Sequence, residues 1–318
     1  MIQLSIVIPI YNAELFIHSC IESIFMQGLN EEVFEVILVN DGTKDNSFIK
    51  ISDLLNIHHN ISIIEQSNQG PSIARNNGIE HAKGEYILMP DSDDIIIDKT
   101  LPILLNHAIS SKADMVIGDF VKLANHTISG NTTFNSKSEY KSKSGIDFFI
   151  HDFNPKECFV WRTLYRREFL LQKNLRFIPG IYFEDIPFTV DCYLCAKKCD
   201  KVPLLFYIYR QRKDSIVTTI NMKKLLDMNT SIAHLHNLKS KHNSAITKKI
   251  DDTIYSTFSI AIWYIAHNKK LFHQRKSYIE DIKGRIPNFR FTNGLKQRLI
   301  SYFFHLAPNL YIRLCAFR

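Results

Sequence analysis

Apolar residues fall along this chain in two rhythms. From Leu4 to Ile10 they run almost unbroken and mostly β-branched, the pattern of a strand covered on both faces, as in a parallel sheet. From Asn12 or Ala13 onward they recur as Leu15, Ile17, Ile21, Ile24 and Phe25, one stripe of a helix that Gly28 ends. The alternation then repeats. A strand over Phe34–Val39 runs into the tight turn Asn40-Asp41-Gly42-Thr43. A capped helix is expected from about Asp45 to Leu55, a strand over Ile61–Ile64, a helix opened by Gly70-Pro71-Ser72, and a strand over Glu85–Met89. Strand–helix alternation predicts right-handed βαβ units and a doubly wound, mostly parallel α/β sheet. Ligands of such sheets sit outside the carboxyl ends of the strands. Asp41 and Asp91-Ser92-Asp93-Asp94 both fall at such ends, which sets them along one rim.

Beyond a strand at Met115–Gly118 the pattern loosens into Lys122–Ser144, rich in Ser, Asn, Thr and Lys, a hairpin or mobile excursion. Order returns with Phe148–Ile150 and Cys158–Leu164. Phe183–Phe188 then opens a helix, and Val202–Tyr209 forms a strand ending in the basic turn Arg210–Ser215, which reads as a solvated loop. From Met222 through His267 and beyond the period is helical. Leu295–Arg318 fits two short amphipathic helices broken at Pro308, suited either to a membrane interface or to closing the core. No repeat and no Gly/Pro-rich linker marks a boundary.

Composition narrows the class. At 318 residues and 45% hydrophobic content the chain can build one large or two ordinary cores. Six cysteines without a recognisable export signal predict free thiols and a cytoplasmic location. Cys192, Cys195 and Cys199, at i, i+3 and i+7, read as one buried helix face rather than a metal cluster. The longest mostly apolar stretch, Ile254–Ala266, is too short to span a bilayer. Charge is uneven: Met1–Phe120 holds 17 acidic and 6 basic residues, net −11, and the remainder 15 acidic and 33 basic, net +18. An acidic first part suits a cation-binding nucleotide site, and a basic second part suits an anionic partner, such as a phospholipid leaflet or a diphosphate-linked substrate. Nucleic acid is not supported, because no recognised module appears.

The carboxylates carry the candidate chemistry. Three acids between the apolar runs Tyr86–Leu88 and Ile95–Ile97 are costly beside apolar surface unless a metal, an Arg or hydrogen-bond donors meet them. Mg²⁺ or Mn²⁺ is the natural partner of such oxygens and keeps positions open for substrate phosphates. The competing reading is a polar turn in which Asp91 or Asp94 caps a following helix. Arg75, in the first turns of the helix after Gly70-Pro71-Ser72, can reach the same rim. Glu184-Asp185 opens another helix, where plain capping chemistry competes with catalysis. No GxGxxG follows the first strand and no GxxxxGK[ST] occurs, so neither a dinucleotide site nor a P-loop is supported.

Taken in order, Ser5–Asn12, Val39–Thr43, Asn68–Asn76, Asp91-Ser92-Asp93 and Phe183-Glu184-Asp185 resemble the family 2 glycosyltransferases, bacterial inverting enzymes of the GT-A fold found in capsule, O-antigen (lipopolysaccharide) and exopolysaccharide synthesis. The resemblance covers about residues 3 to 215. It implies that Pro9 and Tyr11 border the base of a nucleotide-sugar, typically a UDP-sugar, and that Asp41 accepts a hydrogen bond from that base. It places Arg75 near the nucleotide. Asp91, with Ser92, would sit toward ribose and metal, Asp93 would ligate the Mn²⁺ or Mg²⁺ on the diphosphate, and Asp185, with Glu184 beside it, would be the catalytic base. On this reading residues 1–120 are the nucleotide-sugar-binding half, 121–220 the acceptor and catalytic half, and 221–318 a helical, basic C-terminal region.

The chain departs from the family pattern in two places. Arg210-Gln211-Arg212-Lys213 lacks the Trp of processive members, which points to single addition; the resemblance implies that this turn, with Ser215, contacts the diphosphate as a flexible lid. Val160–Tyr165 resembles the family's Trp-containing strand, but Thr163 stands where a Lys is common. The acceptor implied is a lipid-linked or growing polysaccharide, with an anionic inner membrane face as a candidate surface. The alternatives are a sugar-phosphate nucleotidyltransferase, which would need a Gly-rich basic loop where Pro9–Asn12 stands, and a non-catalytic glycan-binding or assembly subunit, which would predict damaged acidic motifs.

Overall fold

A strand that is apolar on both faces needs neighbours on both edges and layers on both sides, and Leu4–Ile10 has them. The structure is a computed structural model and describes residues 1–124, 127–129, 139–212 and 219–317. It divides into two compact units, Met1–Phe148 with Phe159–Gly180 and Asp191–Lys213, and Phe149–Cys158 with Ile181–Val190 and Asp214–Arg318.

In the first unit the strands are β1 (Leu4–Ile10), β2 (Phe34–Asn40), β3 (Ile61–Glu65), β4 (Tyr86–Leu88), β5 (Ile95–Ile96), β6 (Met115–Ala124), β7 (Thr127–Ser129), β8 (Lys141–Lys143), β9 (Thr163–Arg166) and β10 (Cys199–Gln211). They form one sheet in the order β3-β2-β1-β4-β9-β6-β10-β5, with β7 on β6 and β8 on β10. The long ladders, β1 on β2, β2 on β3 and β6 on β10, are parallel; the antiparallel ones are two or three residue pairs long. Helices α1 (Ile17–Phe25), α2 (Ser52–Ile57), α3 (Pro71–His81), α4 (Leu101–Ser111) and α6 (Arg167–Gln172) belong to this unit, while α5 (Gly145–His151) and α7 (Asp185–Cys195) contribute residues to both. Pro9 sits in β1 without breaking it. The Ile10 carbonyl accepts from Asp41 N, so Pro9 turns to the other edge, where pairing with β4 has already ended at Ile6.

Several elements differ from expectation for identifiable reasons. Helix α1 begins at Ile17, because Asn12 adopts φ +52° and the following amides are taken by side chains: Asn12 N donates to Thr43 Oγ1, Ala13 N to Ser47 Oγ and Glu14 N to Asp45 Oδ2. Leu15 is therefore exposed instead of joining the apolar stripe. The same Asp45, also bound by Thr43 and Ser47, organises a loop, so the helix expected from it reduces to a 3-10 turn at Ile49–Ile51 and α2. Asp94 leads into the strand β5, antiparallel to β10, and not into a helix to be capped. Phe148–Ile150 falls within α5, and Cys158–Leu164 becomes a 3-10 turn at Val160–Arg162 leading into β9. Cys192 and Cys195 lie on α7 but Cys199 starts β10, so the three do not share one helix face; all six cysteines are free. Of the loose stretch Lys122–Ser144, residues 125–126 and 130–138 lie outside the described residues, as do Lys213, Asp214 and Ser215 of the basic turn.

The second unit is helical: α8 (Met222–Leu238), α9 (Ser244–His267), α10 (Lys269–His273), α11 (Arg275–Arg285), α12 (Leu295–Leu306) and α13 (Pro308–Cys315). Asn221, Asn243 and Asn268 cap α8, α9 and α10 with side-chain oxygens. Its core gathers Phe258, Phe289, Phe291 and Phe304, with Phe258 and Phe289 tilted and the pairs Phe258–Phe291, Phe258–Phe304 and Phe289–Phe291 edge to face. The last two helices break at Pro308 as expected, and only part of their apolar surface closes the core. Ser301, Phe304 and Ile312 are buried, whereas Leu295, Leu299, Tyr302, Leu306, Leu310 and Leu314 face outward. No helix among the described residues is long and apolar enough to cross a membrane.

Candidate active site

The carboxyl ends of β1, β2 and β4 form the rim on which the first unit gathers its polar side chains. Asp41, 3% exposed at the end of β2, is held from three directions: Oδ1 accepts from Gln66 Nε2 at 2.8 Å and Gln69 N at 2.7 Å, and Oδ2 accepts from Gly70 N at 2.9 Å. It thereby fixes the loop that launches α3. Gly42 next to it has φ +67°, and a Cβ there would stand 3.0 Å from Asn68 N, so this turn requires glycine. Tyr11, at the end of β1, is 44% exposed.

Helix α3 starts with Pro71 at its first position and turns Arg75 inward, where it is buried. The Arg75 guanidinium donates to Asp91 Oδ1 at 2.6 Å and lies 5.5 Å from the Phe177 ring centroid. Asp91, Asp93 and Asp94 place ligand oxygens within 4.8 Å of one another, with Ser92 in the turn between them. Their environments differ. Asp94 is 1% exposed; Oδ2 accepts from the Tyr207 hydroxyl at 2.9 Å and Oδ1 from Arg210 N at 2.7 Å. Burial, and after it the charges of Asp93 and Asp91, hold its pKa well above the usual carboxylate range. Asp93 Oδ2 pairs with Arg212 Nε at 2.6 Å.

Arg210 and Arg212, in a turn that reads as a solvated loop from its composition and as a diphosphate contact from the resemblance, belong to this cluster. They lie two residues apart, Arg210 in the last residues of β10 and Arg212 just past its end. Both lie over the Phe16 ring, at 5.8 and 5.3 Å, and Arg210 Nη1 also donates to Ser19 Oγ at 3.0 Å. Behind them the Tyr207 hydroxyl accepts from Asp91 N at 3.1 Å as well as donating to Asp94. Its ring is stacked on Trp161 at 4.3 Å and 9°, and Trp161 on Phe159 at 4.8 Å. The i, i+2 spacing of the arginines was the sequence signal for this group; Tyr207 and Phe16 offered none.

The donor set suits a hard divalent cation, since it is all carboxylate oxygen. Asp94 has both oxygens engaged by protein donors, which leaves Asp91 and Asp93 as the residues that could hold one. Each already meets a guanidinium, so their charge is balanced without the ion.

Glu184 and Asp185 lie in the second unit. Asp185 is the first residue of α7 and Glu184 is buried. Pro187 falls in the first turn, where its missing N–H leaves no intrahelical bond unmade. The preceding residue, Phe183, adopts φ +61°, unusual for a bulky side chain, and its carbonyl accepts from Ser231 Oγ. Tyr182 N donates to Asp227 Oδ2, which also pairs with Lys223 at 2.7 Å, so the start of α8 pins the segment that presents the two acids.

The chain matches the family model described as Glycosyl transferase family 2 over residues 5–170. It is 34% identical over 226 residues to EpsJ, an uncharacterized glycosyltransferase of Bacillus subtilis, an alignment covering 70% of this chain and 65% of that one. It is 30% identical over 215 residues to a poly(ribitol-phosphate) beta-glucosyltransferase of Bacillus spizizenii, covering 67% of this chain and 33% of that one. Among solved structures, S. aureus TarS 1-349 in complex with UDP-GlcNAc superposes with a TM-score of 0.77 at 18% identity, over 99% of this chain and 90% of that one, which shows a shared fold.

Proposed function

Since the chain belongs to glycosyl transferase family 2 and is a glycosyltransferase, we propose that it moves a sugar, with inversion, from a UDP-sugar to a hydroxyl of a lipid-linked or growing cell-surface polysaccharide of the capsule or lipopolysaccharide kind. The observation that carries this is the Asp91/Asp93/Asp94 cluster, met by the guanidinium groups of Arg75 and Arg212 and by the main-chain N–H of Arg210, outside the carboxyl ends of the strands. The UDP-GlcNAc bound by TarS supports the donor class, and the poly(ribitol-phosphate) relative supports a cell-surface polymer as acceptor. Family membership favours this over the nucleotidyltransferase and non-catalytic alternatives.

In this reading Pro9 and Tyr11 border the base. Asp41 meets it through Oδ2, which among the described residues receives the one donor Gly70 N. Arg75 holds Asp91 toward ribose and diphosphate, with Ser92 beside it, while Arg210 and Arg212 supply donors for phosphate oxygens. Asp93 and Asp91 would hold Mn²⁺ or Mg²⁺, which when bound neutralises charge developing on the leaving diphosphate. The acceptor oxygen forms its bond to the anomeric carbon as the bond from that carbon to the diphosphate oxygen breaks, and Asp185 takes the hydroxyl proton. Glu184 flanks it.

The outward apolar side of α12 and α13 supports a peripheral position on the inner face of the plasma membrane. Residues 282–318 contain seven Lys or Arg and no acid, which suits anionic lipid.

The test is a panel of nucleotide sugars with wild type, Asp93→Ala and Asp185→Asn, with and without Mn²⁺, following release of nucleoside diphosphate. Release from one UDP-sugar that requires metal and Asp93, and is lost in Asp185→Asn while UDP still binds, is the expected result. Absence of nucleotide binding in the wild type overturns the reading.

A further inference from the structure

Helix α9 buries Ile250, Ile254, Phe258, Ala261 and Ile265 and leaves an opposite stripe outward. Asp252, Tyr255, Ser259 and Trp263 follow i, i+3, i+7 and i+11, with Ser256 and Tyr264 beside them. Together with Ile260 and Asn154-Pro155-Lys156 they line a cleft of about 630 Å³, inside the range of roughly 300–1,000 Å³ typical of small-ligand sites. All of these residues lie in the second unit, and none belongs to the donor site or to the Glu184–Asp185 pair.

The cleft pairs an exposed aromatic with fixed polar groups. Trp263 is 55% exposed, although tryptophan is ordinarily among the better-buried residues. Its indole is held in place: His267 stacks on it at 4.8 Å and 23°, and Tyr264 meets it edge-on at 5.2 Å and 77°. Asp252 Oδ1 is anchored by Asn293 Nδ2 at 2.8 Å and Gln297 Nε2 at 2.9 Å, which fixes a carboxylate in the cleft that Ser256 and Ser259 also line. Across the cleft Asn154 is fixed by Glu157 at 2.8 Å and by Lys156 N at 3.1 Å.

This chemistry selects among ligands. An acyl chain or apolar peptide would cover the Ser256 and Ser259 hydroxyls and the Asp252 carboxylate, which holds donors on Oδ1, without offering any of them a new partner. A phosphate would meet one cation, Lys156, against the Asp252 charge. A neutral pyranose satisfies both halves, because its C–H face covers an aromatic ring while its equatorial hydroxyls donate to carboxylate and hydroxyl oxygens. We infer that the α9 cleft is a binding site for neutral saccharide, holding sugar residues of the glycan acceptor other than the one that receives transfer. The inference rests on the polysaccharide-acceptor reading above, and the cleft adds a foothold by which an already extended acceptor binds better than a short one.

The chain supplies its own reporter. Of two tryptophans, Trp161 is 3% exposed, so changes in emission on adding ligand come from Trp263. Full-length protein without nucleotide is titrated with gluco-, galacto- and N-acetylglucosamine oligosaccharides, and UDP binding is measured separately on the same preparation. A saturable blue shift with at least one series is expected. Tyr255→Ala keeps the reporter and should weaken binding about tenfold, the equivalent of a lost aromatic contact. Trp263→Ala, read by calorimetry, should abolish saccharide binding and leave UDP binding unchanged. The cleft assignment is overturned if no series shifts the emission, if binding survives in Trp263→Ala, or if anionic phospholipid vesicles shift it and sugars do not. The UDP arm decides the donor site independently, so the two readings fail separately.

Discussion

The Tyr207 hydroxyl bridges the Asp91 amide and the Asp94 carboxylate, and its ring lies flat on Trp161, so a side chain far along the sequence shapes the turn that carries the acids. Removing that hydroxyl leaves a buried carboxylate short of a donor, a loss of about 1–3 kcal/mol. Tyr207→Phe should therefore lower thermal stability measurably. If Tyr207 positions the turn, it should also raise the Mn²⁺ concentration needed for half-maximal diphosphate release more than it weakens UDP binding. An equal loss in both would mean that the residue serves stability alone. Phe16 and Tyr207 carry no motif of their own, because a lone aromatic beside apolar positions reads as core. The placement of Asp41, Asp91 and Asp93 at strand ends was legible at this scale, since carboxylates beside apolar runs are costly without partners.

At the scale of elements, α3 links the sheet to the rim. One face presents Arg75 to Asp91, and Gly78 lets the helix approach β1 so closely that a Cβ would stand 2.1 Å from Val7 Cγ1. Gly78→Ala must push helix from strand or force Val7 aside, an overpacking cost of about 1–3 kcal/mol. The urea midpoint should fall, and UDP affinity with it, because Arg75 rides on the displaced helix. Val7→Ala in the same chain should recover most of the affinity, which a loss unrelated to this contact would not show. Element type was largely readable from the two periodicities, but element ends were not. Thr43, Asp45 and Ser47 take the amides of Asn12, Ala13 and Glu14 through contacts 31 to 34 residues apart in sequence, which no local pattern contains.

For the whole molecule the governing feature is the split of charge, net −11 in the first 120 residues and net +18 in the rest. A basic, acid-free terminus bearing Leu295, Leu299, Tyr302 and Leu306 on one exposed side of α12 suits an anionic interface. Because Phe304 and Ile312 are buried, truncation would unravel core, and outward substitutions are the cleaner probe. Leu299→Glu with Leu306→Glu should reduce sedimentation with phosphatidylglycerol vesicles at least tenfold while diphosphate release is retained. Wild-type binding should weaken as salt rises. Unchanged sedimentation of the double variant would remove the helix from the membrane reading.

By itself the sequence determined the alternating α/β architecture, the family, and the rim on which Asp41 and the Asp91 group would meet. Each of these depends on the order and period of residues within short windows, and burial of apolar surface makes such windows decisive. Only the tertiary structure decided how the acids are engaged: Asp94 is taken up by Tyr207 and the Arg210 amide, and Arg212 pairs with Asp93. It also decided that α12 turns part of its apolar surface outward and that α9 presents an aromatic cleft. Periodicity shows that a helix has an apolar or aromatic stripe, but what that stripe faces is set by the packing of distant elements.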